Sequence, residues 1–255
     1  MPNDTHRSTL SSLTVFAAAL GLMASLGGCA SKPTEDPRVT AERYQKVIAS
    51  PVRTDQDRIT DAARKPAEFL PFTQVQPGMQ VLDVAAGGGY TSQLLALAAG
   101  PTGKLWAQRE QPGPALTKRL ADQPQANFVV VYRPFEDPVP PDAPKLDLIT
   151  LVLNYHDITY LPVDRSKMND RLFAALKPGG RFVVIDHSAL PGTGITAGKT
   201  LHRIDESFAV AEIRKAGFVL EAEGSYLRNP ADPRDVTSNS PAVPTDKFVL
   251  RFVKP

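Results

Sequence analysis

The sequence predicts an α/β fold: a doubly wound, mostly parallel sheet with an antiparallel pair of strands at its C-terminal edge. Three observations predict it. From residue 80 onward, short apolar runs alternate with helix-patterned segments, the order that builds a parallel sheet covered on both faces. The run Leu148-Ile149-Thr150-Leu151-Val152-Leu153 is almost continuously apolar, as a strand buried on both sides must be. The last two strand patterns, 218–223 and 247–253, have no helical pattern between them, so the loop 228–245 joins them as antiparallel neighbours. With 255 residues, the chain can bury one sizeable core but not two comfortable ones, and the domain is placed at 39–255.

The elements follow in order. Residues 39–64 read as two short helices parted at Ser50-Pro51, with Thr54 capping the second and Asp57 three residues on. Pro66 and Pro71 read as breaks. Strands are expected at 80–84, 104–108, 127–132 and 146–153, and a fifth from Gly180-Arg181 through Asp186. Helices are expected at 91–99, stopped by Gly100-Pro101, at 115–121, at 166–176, and at 206–216, ended by Gly217. The 24 prolines cluster between these segments and punctuate loops, and no internal repeat is present.

The charge is nearly balanced, 29 basic against 27 acidic residues, which gives no electrostatic reason to expect nucleic acid. The one cysteine, Cys29, excludes an intrachain disulfide and a cysteine-rich zinc site. Arg7 precedes an uncharged, mostly apolar run at 13–26, too short to span a bilayer comfortably and suited to a secretory signal. The run ends Leu26-Gly27-Gly28-Cys29, which resembles the lipobox of bacterial lipoproteins. That resemblance implies a signal peptide at 1–28, acylation of Cys29 and a polar tether at 29–38. It implies membrane attachment through the N-terminal lipid. With Ala30 rather than Asp after the cysteine, the outer membrane and its periplasmic face are expected. Oligomeric state has no signature in the sequence.

The sharpest signal is Val81-Leu82-Asp83-Val84-Ala85-Ala86-Gly87-Gly88-Gly89-Tyr90-Thr91-Ser92. A strand ends, a glycine turn follows and a helix begins. Such a turn lets a ligand approach the backbone at the carboxyl end of the sheet. Dinucleotide binding wants Gly-x-Gly-x-x-Gly, and from Gly87 the third glycine position is Ser92. An acid at the strand's end can instead serve a cationic amino-acid moiety. The segment resembles the first motif of class I S-adenosylmethionine-dependent methyltransferases, with Asp83, Gly87 and Gly89 matching and Ala85 in place of the first glycine. Leu176-Lys177-Pro178-Gly179-Gly180-Arg181 resembles the turn that family carries ahead of its fifth strand. Arg64-Lys65-Pro66, Asp186-His187-Ser188 and His202-Arg203-Ile204-Asp205 look like a family of bacterial methyltransferases.

The resemblance, over roughly residues 58–253, implies a Rossmann-like sheet and S-adenosyl-L-methionine as cofactor, held around Asp83, Ala85, Gly87, Gly89 and Tyr90. The ribose acid is expected near Arg109, so Glu110 is a candidate one residue late, with Gln108 as the alternative. Phe135 can pack on adenine and Glu136 can accept from its amino group. The fourth strand ends Asn154-Tyr155-His156-Asp157, without the motif of DNA amino-methyltransferases, so nucleic acid is not expected as substrate and a small molecule is. His156 beside Asp157 is the candidate general base, with His187 and His202 on the same rim. Their spacing does not support a metal site, and none is expected. Trp106 reads as core. The helices before Pro66 and the loops 191–199 and 228–245 are expected to roof the cleft. Export stands in tension with a cofactor made in the cytoplasm. Three readings stay open: a methyltransferase, a lipoprotein that binds a ligand without catalysis, and a nicotinamide-dependent oxidoreductase.

Overall fold

Strands β1 (Gln80–Val84), β2 (Lys104–Arg109), β3 (Phe128–Tyr132), β4 (Leu146–Val152), β5 (Leu176–His187), β6 (Val219–Gly224) and β7 (Lys247–Val253) form one sheet in the order β3-β2-β1-β4-β5-β7-β6. Pairings from β3 through β5 are parallel, and β7 runs antiparallel to both β5 and β6. The computed structural model describes residues 1–3, 36–241 and 243–255, and this sheet lies within the unit Asp36–Pro255. Cys29 and the apolar run at 13–26 lie outside the described residues. Among the described residues no helix is long and apolar enough to cross a membrane.

The sheet is covered on both faces because alternate residues of its central strands are apolar in both directions. Leu82, Val84, Ile149, Leu151, Phe182 and Val184 pack into one core with α6 (Tyr155–Ile158), α7 (Arg165–Ala175) and α9 (Glu206–Lys215). Val81, Leu105, Leu148 and Val183 face the other core, filled by α1 (Pro37–Ile48), α3 (Pro66–Thr73) and α4 (Tyr90–Ala99). Trp106 is buried in the first core, as expected. Helices α2 (Asp55–Arg64), α5 (Pro114–Asp122) and α8 (Gly198–Leu201) complete the set among the described residues.

Three local expectations change. Residues 66–73 are helical although Pro66 and Pro71 read as breaks. Pro66 sits at the first helical position, where its missing N–H costs nothing, and burial of Phe69 and Leu70 outweighs the one bond lost at Pro71. Strand β5 begins at Leu176 and takes in the Pro-Gly-Gly turn: the Gly179 N–H donates to the Lys254 carbonyl (2.8 Å) and the Lys254 N–H to the Gly180 carbonyl (2.9 Å). The one-turn helices α6 and α8 were not anticipated, being too short to leave a periodicity.

The strand order reverses between β1 and β4. After β1 the chain builds outward through β2 and β3, then returns to β1's other side as β4. A crevice must open at the carboxyl ends there, where α/β proteins of this kind bind ligands.

Candidate functional site

The loop after β1 is held from outside, which keeps its inner side free. Gln108, fully buried on β2, accepts from the Ala85 N–H through Oε1 (2.9 Å) and donates through Nε2 to the Arg133 carbonyl (2.6 Å). The Ala86 N–H donates to the Gln108 carbonyl (3.0 Å), Arg119 Nε to the Gly88 carbonyl (2.8 Å), and the Arg109 guanidinium to the Gly87 carbonyl. Gly87 has φ +54°, and a Cβ there would meet nothing closer than the Ala85 carbonyl oxygen at 4.0 Å. Gly89 is different: at φ +85° its missing Cβ would lie 2.7 Å from Leu116 Cδ1, so its bareness lets α5 pack. Ala85 occupies the left-handed region at φ +57°, the conformation for which glycine is the usual choice.

A crevice of about 330 Å³ opens beside this loop, lined by Ala85, Gly87, Arg109, Glu110, Gln111, Phe135 and Asn154. Its volume falls in the range of small-ligand sites. Five residues nominated from sequence, Ala85, Gly87, Glu110, Phe135 and Asn154, therefore surround one cavity. The others lie elsewhere. Asp83 points into the second core, where it accepts from Ser92 Oγ (2.5 Å) and Thr150 Oγ1 (2.7 Å); Thr150 is its register neighbour on β4. Burial pushes its carboxyl up to about 6, against the two hydroxyl bonds and Arg64, which pull it down. Tyr90 turns away and donates from its hydroxyl to Asp61 Oδ1 (2.6 Å). Glu136 accepts weakly from the Asp164 N–H (3.4 Å) and does not line the crevice. Gln108, the alternative ribose ligand, has its amide committed to the backbone, which leaves Glu110 as the acid on the crevice.

The three histidines of the rim come together. His156, buried at the tip of β4, has Nδ1 2.6 Å from Asp186 Oδ1 and Nε2 3.2 Å from Asp157 Oδ1. Asp186 is fully buried and is fixed by the N–H groups of His156 (2.8 Å) and His187 (2.7 Å). Burial works against the charged imidazolium, yet the two carboxylates prevail and raise His156 to about 9; Asp157 is correspondingly held far below its ordinary value. His202 Nδ1 lies 2.9 Å from Asp157 Oδ1. A carboxylate only accepts, so Nδ1 donates in this contact. Asn154 reaches Asp157 Oδ2 at 3.4 Å and ties this group to the crevice. His187, 5.8 Å from His156 between ring centroids, is driven down to about 2 by burial and by Lys247. Ligand-capable atoms of His156, Asp157 and His202 lie within 4.8 Å of one another, a clustering that sequence spacing did not reveal.

Beyond the tip of β4 a larger cavity, about 680 Å³, lies between the end of α2 and the loop before β7. Ala62, Arg64 and Lys65 form one wall and Arg228, Pro244 and Thr245 another, with His187 and Lys247 also lining it. The end of α2 and the loop 228–245 therefore border a cavity, whereas α1 and residues 191–199 line neither this one nor the crevice. Lys247 was missed in the sequence because nothing marks it apart from the other lysines. Arg64 drew notice only as part of a short motif.

No family model matches the chain. It is 31% identical over 116 residues to the ubiquinone/menaquinone biosynthesis C-methyltransferase UbiE of Burkholderia multivorans, covering 45% of either chain. It is 28% identical over 201 residues to the aclacinomycin 10-hydroxylase RdmB of Streptomyces purpurascens, covering 78% of this chain and 50% of that protein. The chain thus matches about half the length of these curated relatives. Among solved structures, a SAM-dependent methyltransferase from Aquifex aeolicus aligns with a TM-score of 0.59 at 16% identity, over 84% of this chain and 98% of that one. The glycopeptide N-methyltransferase MtfA, complexed with sinefungin, aligns at 0.52 and 18% identity, over 77% and 86%. The fold, a seven-stranded Rossmann-like sheet with an antiparallel C-terminal pair, is the fold of the S-adenosylmethionine-dependent methyltransferases.

Proposed function

We propose that the chain is an S-adenosylmethionine-dependent methyltransferase for a small molecule, with the cofactor in the 330 Å³ crevice and the acceptor in the 680 Å³ cavity. The observation that carries this reading is the crevice itself. It sits at the switch point of the sheet, its floor is open at Gly87, and it offers the chemistry a nucleoside needs: an acid at Glu110, an aromatic wall at Phe135 and an amide at Asn154. The cofactor, when bound, supplies an electrophilic methyl group.

The chain's own part is to orient the acceptor and remove its proton. Both ring nitrogens of His156 face carboxylates, Asp186 at 2.6 Å and Asp157 at 3.2 Å, so neither is turned toward an acceptor and we do not assign it the general-base role expected from the sequence. It holds Asp157 ionised and in place. We assign the proton-accepting role to His202, which Asp157 holds through Nδ1.

The test is transfer of a labelled methyl group from S-adenosylmethionine to small-molecule fractions of a cell extract. One relative is named a hydroxylase, so the label itself must be followed, not loss of acceptor. Label in a small molecule, falling 10²-fold or more in His202→Gln, is expected. Transfer in no fraction removes the enzyme reading.

We propose further that Cys29 is acylated and that the domain is attached to the outer membrane at its periplasmic face. The lipobox-like Leu26-Gly27-Gly28-Cys29 supports this reading. Cys29→Ser should move the protein to the soluble fraction, and unchanged membrane fractionation would refute the anchor. Methyl transfer by an anchored domain then requires either cofactor supply outside the cytoplasm or action before export.

A further inference from the structure

The larger cavity holds two cations that make no direct ion pair with a carboxylate among the described residues. Arg64, partly buried at the end of α2, makes no hydrogen bond or ion pair among the described residues; its guanidinium lies over the Tyr90 ring, 5.9 Å from the centroid. Lys247, at the start of β7, is 8% exposed, and its Nζ donates only to the Thr245 carbonyl (3.1 Å). Both line the cavity and also a narrow cleft that continues inward beneath Leu227. Tyr226 also lines the cavity, and its hydroxyl is buried without a hydrogen-bond partner.

This arrangement is costly unless something answers it. Withdrawing an ammonium or a guanidinium from water without a counter-charge is unfavourable, and an orphaned hydroxyl adds to the penalty. Elsewhere in the molecule such charges are paired: Arg203 is bidentate to Asp232, Arg119 to Asp57 and Arg228 to Glu206. Arg64 and Lys247 are left over, and among the described residues no Asp or Glu lines the cavity. Burial shifts both cations toward the neutral state, and Lys247 also feels repulsion from Arg64, shifts that an incoming anion would reverse. The remaining walls are apolar, with Leu153, Leu227, Val243 and Pro241.

We infer that the cavity binds an organic carboxylate, its anionic head on Arg64 and Lys247 and its apolar body against Leu153, Leu227 and Val243. The inference rests on the acceptor-site reading above and names its substrate class: a small organic acid. A carboxylate offers two oxygens to two cations, and the guanidinium plane matches it.

The experiment is calorimetric titration of the full chain with 1-naphthoate, with 1-naphthalenemethanol as the uncharged counterpart and inorganic phosphate as an anion without an apolar body. Wild type is expected to bind naphthoate at least about tenfold more tightly than either control, and Lys247→Met and Arg64→Gln are each expected to lose about that factor. Lys247→Met removes an unpaired buried charge, so its thermal midpoint should not fall, which keeps the variant interpretable. Naphthoate binding no tighter than the alcohol overturns the proposal, as does phosphate binding equally well or affinity unchanged in both variants. Titration of the same samples with S-adenosylhomocysteine separates the two readings. Its binding without naphthoate selectivity rejects the acid subsite and leaves the methyltransferase; selectivity without its binding does the reverse.

Discussion

Asp83 carries a carboxyl group into one of the driest places in the molecule, 2% exposed between Ser92 and Thr150. Its folded value near 6 lies above the ordinary 3.8, so the native state binds this proton more readily than the unfolded chain does. The associated stability is fully present below about pH 4 and is lost as pH rises through 6, a change of roughly 3 kcal/mol across the window. Asp83→Asn, which keeps an acceptor and lets the hydroxyls turn, should flatten the melting midpoint between pH 4 and 7. A slope equal to wild type's would refute the assignment. The variant should keep S-adenosylhomocysteine binding, since the side chain faces the core and not the crevice. His156 gives a test of the same sign at alkaline pH. Its raised value means stability that is complete below about 6.5 and lost as pH rises through 9, so His156→Gln should remove the alkaline fall seen in wild type. Ala85→Gly releases a left-handed alanine and should stabilise by about 1 kcal/mol or less, because the added freedom of the unfolded chain offsets part of the gain.

At the scale of elements, the glycine loop depends on helices far from it in sequence. Arg119 on α5 is bidentate to Asp57 on α2 (2.7 and 2.8 Å), and Tyr90 at the start of α4 is tied to Asp61, which Arg53 also holds. Asp57 serves twice, since it also closes the capping box with Thr54. Arg119→Met should cost about 3 kcal/mol in denaturant unfolding, because it strands a nearly buried carboxylate; a loss under 1 kcal/mol would mean the pair is dispensable. The capping of α2 was readable from Thr54-x-x-Asp57, and β1, β4 and β7 were readable from their apolar runs, because those signals are local. The pairing of Asp57 with Arg119 was not, since 62 residues separate them. The same limit hid the true environment of Gln108 and Asp83. Their positions on strands were legible, but which face each presents depends on register, and one residue's difference exchanges core for crevice.

The whole molecule sets its two cavities on opposite sides of the β4 tip. Leu153 lines the larger one and Asn154, the next residue, lines the crevice, with Leu153 in the left-handed region at φ +56° to make the turn between them. One peptide unit therefore separates cofactor from acceptor in the proposed function, and the His156–Asp157–His202 group sits beside that partition, joined to it by the Asn154–Asp157 contact. The strand order makes this arrangement inevitable: β1, β2 and β3 frame one opening, and β4, β5 and β7 the other. A ligand in the first opening contacts only folded chain, so its binding must add to folding stability. S-adenosylhomocysteine at a hundred times its dissociation constant should contribute about 2.7 kcal/mol and raise the melting midpoint by roughly 5–10 °C for a domain of this size. NADH should leave the midpoint where it was, because the position of the third dinucleotide glycine is occupied by Ser92, whose hydroxyl is committed to Asp83. A shift with NADH and none with S-adenosylhomocysteine would transfer the same crevice, with Glu110 and Phe135 on its wall, to hydride chemistry.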